Sequence, residues 1–234
     1  MYDQPVGFTA ALDVQPRLES WDRHDAPSQV ALRVYLAHIE EICRSGLSQD
    51  HGLGLRLNVG ISATSALMGA GGDLDNYLYP VVRALGHHKF VAAFGEKRRG
   101  RSDIAIGLAK PRDPGVALTG WHHAQAHATA SSQSTAWKQE IADQIGSQVA
   151  DPAHDDRGVS LHICFRLSAR RNWAYLWKPA IDSLSAILGE TIPGRPFHPR
   201  DDRILQLGLH RVIDDSLGNA VALGIWWQEL STNS

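Results

Sequence analysis

The chain reads as one arrangement of elements written twice, and that repeat constrains its fold more than any single motif. In the first half, "GFTAALDV" (7–14) reads as a strand and "APSQVALRVYLAHIEEICRSG" (26–46) as a helix. Ser28 is the expected N-cap of that helix, and Gly46 its end. "LGLRLNVGI" (53–61) alternates as a strand does. A glycine-rich loop, the tetrapeptide Asp73-Leu74-Asp75-Asn76, an apolar helical run to Leu85 and a strand over 101–110 follow. In the second half, strands are expected over 115–128, 158–167 and 200–213, helices over 131–150 and 172–189, and a closing strand over 218–228. Pro80 and Pro179 are 99 positions apart, as are Leu85 and Leu184, and Asp103 and Asp202. Three matches at one spacing, in similar contexts, favour an internal duplication. The expected fold is α+β or α/β. Its two halves, 1–112 and 113–234, would each be a small mixed sheet with two helices, packed as an intramolecular pseudo-dimer.

The 234 residues are 43% hydrophobic and 21% charged, with a formal net charge of −2. There is therefore no chain-wide basic excess of the kind that drives nucleic-acid binding, although a local patch is compatible with these numbers. Two cysteines, Cys43 and Cys164, are too few for a disulfide framework and fit a reduced, cytoplasmic setting. "MYDQPVGFTAAL" lacks the basic and apolar regions of a signal peptide, and no apolar run is long enough to span a membrane.

Asp73 and Asp75 have two readings. Asp and Asn are preferred helix caps, the dipole favours acids in a first turn, and Pro80 suits a position in or near that turn. Capping explains one aspartate, and Asn76 can serve alone. Two carboxylates on one short turn also suit a hard divalent cation, which takes carboxylate oxygens and keeps several waters. In phosphodiester hydrolysis such an ion activates water and stabilises the leaving oxygen.

The segment "RLNVGI…GGDLDNYLYPVVRALG" resembles the core of the RusA-like Holliday junction resolvases. In that family a strand leads through a loop to an Asp-Leu-Asp-Asn turn. A helix carrying a lysine follows, and an acidic pair opens the next strand. The resemblance implies Mg²⁺ (or Mn²⁺) as cofactor, branched DNA as substrate and a homodimeric architecture. It assigns the metal to Asp73, Asp75 and, near the acidic pair, Asp103. The family lysine falls on Tyr79. In the second half the motif aspartates fall on Asn172 and Ala174, whereas the lysine position is Lys178 and the acidic pair is Asp201-Asp202. Two sites are therefore expected alternatives. One joins Asp73, Asp75 and Asp103 within the first half; the other joins Asp73 and Asp75 to Asp202 or Lys178.

"GEKRRGRSD" (95–103) gathers Lys97, Arg98, Arg99 and Arg101 beside Asp103, either as a solvated hairpin loop or as a phosphate-contacting one. Arg170 and Arg171 pose the same choice, and Asn76 is a further candidate for the nucleic-acid interface or for orienting the turn. "WHHAQAH" (121–127) places His123 and His127 on one strand face and His122 on the other, without partners at zinc spacing. Adjacent Trp226 and Trp227 must point to opposite faces, one of them into a core. No Walker or Rossmann phosphate loop and no Ser-His-Asp signature is present.

The leading expectation is a Mg²⁺-dependent structure-selective endodeoxyribonuclease, monomeric as a pseudo-dimer or further self-associated. The alternative is an inactive RusA-like protein that binds branched or single-stranded nucleic acid, or serves as a protein partner in a DNA-processing or phage-defence assembly. A hydrolase of small phosphate esters is a third.

Overall fold

A computed structural model describes residues 1–19, 22–47, 51–69, 71–150, 153 and 156–230. Ala70, inside the glycine-rich stretch read as a loop, lies outside them. The fold is mixed α+β, and the chain divides into two compact units. One is Tyr2–Arg112 with Leu205–Leu207; the other is Asp113–Ile204 with Gly208–Ser234 and Met1.

The N-terminal unit runs β1 (Phe8–Ala11), α1 (Pro27–Cys43), β2 (Leu53–Ile61), α2 (Leu74–Ala84), β3 (Phe90–Arg99) and β4 (Asp103–Leu108). Its strand order is β1-β4-β2-β3, with β2 and β3 parallel and the other pairs antiparallel. Parallel pairing of β2 and β3 requires a crossover, and α2 supplies it. Strand residues alternate between faces. Leu55, Leu57 and Val59 of β2 point to the face that α2 covers, where a Cβ on Gly95 would touch Leu74 and Leu78 at 3.2–3.4 Å. Leu74, Leu78, Val81 and Val82 of α2 are buried there, each contributing about 1.5–3 kcal/mol of apolar transfer.

Several expected boundaries shift. α1 is capped by Ala26, not Ser28. Pro27 sits at its first position and the Ser28 hydroxyl donates to Asp22 instead. A 3-10 turn over Arg44–Leu47 follows α1, so Gly46 lies within that turn. Pro80 lies inside α2, beyond the first turn. It has no N–H to donate to the Asn76 carbonyl, and the backbone N–H of Glu19 takes that role at 2.9 Å. Residues 90–99, unassigned at their apolar start and read as loop at their charged end, form strand β3.

The C-terminal unit contains α3 (Pro114–Ala117), β5 (His122–Ala128), α4 (Thr135–Gly146), β6 (Gly158–Leu167), α5 (Trp177–Asp182), α6 (Ser185–Leu188), β7 (Ile204–Ile213) and β8 (Val221–Leu230). Its order is β5-β8-β6-β7, with β8 antiparallel to both β5 and β6. Element by element this is the strand order of the N-terminal unit. The strand expected over 115–128 begins instead with the short α3. The helix expected over 172–189 is a 3-10 turn (Trp173–Leu176) followed by α5 and α6. The strand expected from 200 starts at Ile204, after a 3-10 turn that sends Arg203 into the core. There the Arg203 guanidinium donates to the carbonyls of Ala153, Arg157 and Leu188.

The outer edge of β5 is closed by α4. Gln144 donates to the His127 carbonyl (2.8 Å) and accepts its N–H (3.0 Å), and Gln148 does the same for Gln125. Glu140 accepts the N–H groups of Thr129 and Ala130, which hold its carboxyl below the usual range. Glu140 and Gln144 stand four residues apart on α4, with Gln148 four further on just past its end; together they satisfy backbone groups along β5 and just beyond it that would otherwise template another strand. Trp227 is buried, and Trp226 is half-buried and stacked on exposed His123.

Candidate metal-binding turn

Asp73 occupies the N-cap position of α2 in extended conformation (φ −71°, ψ 142°), yet its carboxylate makes no capping bond to the helix backbone. Instead the Asn76 side-chain amide donates to Asp73 Oδ2 at 3.2 Å. Asn76 therefore orients the turn with one of its two amide donors. Asp75 lies in the first turn and is 3% exposed. The peptide dipoles of α2 favour both negative charges at this end. Because α2 crosses back from β2, its N-terminus lies at the carboxyl ends of the parallel strands, the usual ligand position in such crossovers.

The loop reaching this turn is tied at both ends. At its start, Arg99 Nη1 donates to the carbonyls of Ser62 (3.2 Å), Ala63 (2.6 Å) and Ser65 (3.1 Å). At its end, the Gly72 N–H donates to Tyr77 Oη at 3.3 Å, and Leu18 packs so closely that a Cβ on Gly72 would fall 2.4 Å from it. Tyr77 was not singled out by sequence. Its signal is its place one helical turn after Asp73. Beside it runs Glu19, whose side chain is 6% exposed and faces Arg83 at 3.5 Å. Burial raises the Glu19 pKa, and Arg83 only partly opposes this.

Asp103 does not join the turn. It pairs in register with Asn58, whose side chain points away from the face that α2 covers. There Asn58 Nδ2 donates to both Asp103 oxygens (3.0 and 3.1 Å), Arg56 Nη2 donates to Oδ1 (3.2 Å) and Arg98 donates to Oδ2. The Asp103 side chain thus stands on the sheet face opposite the one that α2 covers. Among the described residues no three His, Cys, Asp or Glu side chains come together as a metal ion would need. The spacing match of Asp103 with Asp202 also fails structurally. The strand after α2 is β3, opened by His87-His88-Lys89, whereas Asp103 opens β4, one strand later.

The cation run is likewise redistributed. Lys97 pairs with Val59 on the helix-covered face and is 3% exposed, so it is no surface contact. Arg98 serves Asp103, and Arg99 serves the 62–65 carbonyls. Arg101 is exposed in the short connection between β3 and β4. In the C-terminal unit, Lys178 pairs with Asp201 (2.5 Å) and Asp182 (3.3 Å), so the lysine and the acidic pair assigned by resemblance do meet. Asp202 follows in the same 3-10 turn. Arg170 is exposed. Arg171 donates to the Asn219 carbonyl, and partial burial lowers its pKa.

No family model matches this chain, and neither does any curated protein.

Proposed function

We propose that the chain is a RusA-like, Mg²⁺-dependent nuclease of branched DNA, with Asp73 and Asp75 as its metal carboxylates. The observation that carries this reading is the Asp73 carboxylate. It stands at a helix N-cap without capping the helix, held by Asn76 two residues before a second carboxylate. Two hard oxygen donors suit Mg²⁺, which is commonly held by one or two carboxylates together with waters and substrate phosphate. When bound, the ion supplies Lewis-acid activation of water and charge stabilisation at the leaving oxygen. The chain's own residues do the rest: Asn76 fixes the Asp73 carboxylate, and exposed Arg101 and Arg170 offer phosphate contacts. The two units derive from one duplicated module, a reading supported by their common strand order. The C-terminal copy has lost the turn and keeps Lys178 with Asp201-Asp202. A reducing, intracellular setting suits Cys43 and Cys164, both free and buried; burial pushes the Cys43 thiol up to about 12. Among the described residues no helix is long and apolar enough to cross a membrane.

A second reading, a non-cleaving protein that binds branched or single-stranded nucleic acid, is favoured by one observation. Asp103 is committed to Arg56, Asn58 and Arg98, leaving two carboxylates where the resemblance asks for more. One experiment decides. Four-way junction and splayed DNA are incubated with and without Mg²⁺, using the wild-type chain and Asp75→Asn. Mg²⁺-dependent cleavage lost in the variant supports the nuclease. Cleavage that survives the substitution overturns the site. Binding without cleavage by the wild type selects the second reading.

A further inference from the structure

We propose that Arg99 is a positioning residue for the metal-binding turn, not a phosphate contact; this rests on the reading of Asp73 and Asp75 given above. Twelve residues, 62–73, separate β2 from α2. A connection of that length rich in glycine samples many conformations, and a carboxylate at its end is presented in one geometry only if the path is fixed. Gly69 (φ 71°) and Gly71 (φ 70°) supply left-handed bends that other residues resist. They turn the chain, but they do not hold it.

Arg99 does hold it. One of its terminal nitrogens faces three backbone carbonyls within 3.2 Å, from Ser62, Ala63 and Ser65. Carbonyls converging on one guanidinium draw strength from its charge, and the planar group is less free to swing than an ammonium. Its own backbone is secured, because Arg99 pairs in register with Ile61 and the Gly100 N–H donates to the Ile61 carbonyl at 3.2 Å. The clamp thus joins the end of β3 to the first turn of the loop. The Tyr77 hydroxyl and Leu18 secure the last turn at Gly72. With both ends fixed, Asp73 and Asp75 reach the metal already arranged. Without Arg99, the loop spends binding free energy on ordering itself. Supporting groups of this kind typically change metal affinity about 10- to 100-fold.

The test needs no DNA and no turnover. Mn²⁺ is titrated into the full chain and the free ion is followed by its electron paramagnetic resonance signal, for wild type, Arg99→Ala, Arg99→Lys and Asp75→Asn. The expected results are an affinity about tenfold weaker for Arg99→Ala, partial recovery for Arg99→Lys, and recovery in Arg99→Ala on adding millimolar guanidinium. Circular dichroism should show both Arg99 variants folded; if the alanine variant is not, Arg99→Lys carries the comparison. Wild-type affinity in Arg99→Ala, with affinity lost in Asp75→Asn, overturns the positioning role and leaves the metal reading standing. Wild-type affinity in Asp75→Asn overturns the metal reading and this inference with it.

Discussion

Replacing Asp103 with alanine separates a structural carboxylate from a metal ligand. Asn58 is 1% exposed, and its side-chain NH₂ donates to both Asp103 oxygens at 3.0 and 3.1 Å. Without them a buried donor is left unsatisfied, at a cost of about 1–3 kcal/mol. Arg56 and Arg98, with side chains 26% and 45% exposed, lose their shared counter-ion. Solvent screening holds that loss to about 1 kcal/mol in total. The sum is about 2–4 kcal/mol. At about 2–4 °C per kcal/mol for a chain of this size, the thermal midpoint falls by about 5–15 °C. Asp103→Asn keeps an oxygen for Asn58 and should cost less than half as much. Molar salt should shrink the ion-pair share and leave the Asn58 share. Thermal unfolding at two salt concentrations gives these numbers, and Mn²⁺ titration of the folded variants gives the other half. The structural role requires an Mn²⁺ affinity within about twofold of wild type. A variant as stable as wild type but more than tenfold weaker for Mn²⁺ would refute the reasoning and restore Asp103 as a ligand.

Gln144→Ala removes two bonds to the edge of β5, each worth about 0.5–1.5 kcal/mol. The midpoint should drop by about 2–12 °C, and light scattering should show concentration-dependent association, because a bare strand edge recruits partners. Glu19→Gln should raise the thermal midpoint at neutral pH. Burial raises the folded pKa of Glu19, so ionisation costs stability above that pKa, and the cost disappears as pH falls through it toward the ordinary carboxylate value. The midpoints of variant and wild type should therefore converge on acidification; a constant gap would contradict the assignment.

The parts of the fold carried by long periodic runs could be read in advance. β2 and β6 alternate as strands should, and α2 shows its apolar face at helical spacing. β3 was hidden for two physical reasons. Its first half, "FVAAFG", has little β-branched character beyond Val91. Its second half carries four charges, which suggest solvent, although Lys97 is buried on the helix-covered face. Missing that strand made Asp103 look like the acid after α2, when one more strand intervenes and turns its side chain to the other face. Pro80 misled in a milder way. A proline in mid-helix is tolerated here because a backbone N–H sixty-one positions upstream serves the carbonyl it leaves unpaired. Such a partner has no local signature. The same holds for Tyr77 and Arg99, whose roles depend on where the loop passes.

The two units share a strand order, but their crossovers differ, and packing explains how. In the N-terminal unit a twelve-residue loop delivers two aspartates to the start of an eleven-residue helix. In the C-terminal unit only residues 168–172 separate β6 from a 3-10 turn, and the Asn172 side chain accepts the Ala174 N–H there. Asn172 thus performs the local backbone bonding that Asp73 does not. Ala174, at the position of Asp75, is 3% exposed beside Trp173 and Trp177, whose rings meet edge to face at 4.8 Å. A carboxylate at 174 would have to ionise against buried indole rings, at a desolvation cost of several kcal/mol. The C-terminal crossover is core at this point, whereas the N-terminal one brings two aspartates to its helix through a long loop tied to Arg99 at its start and to Tyr77 at its end.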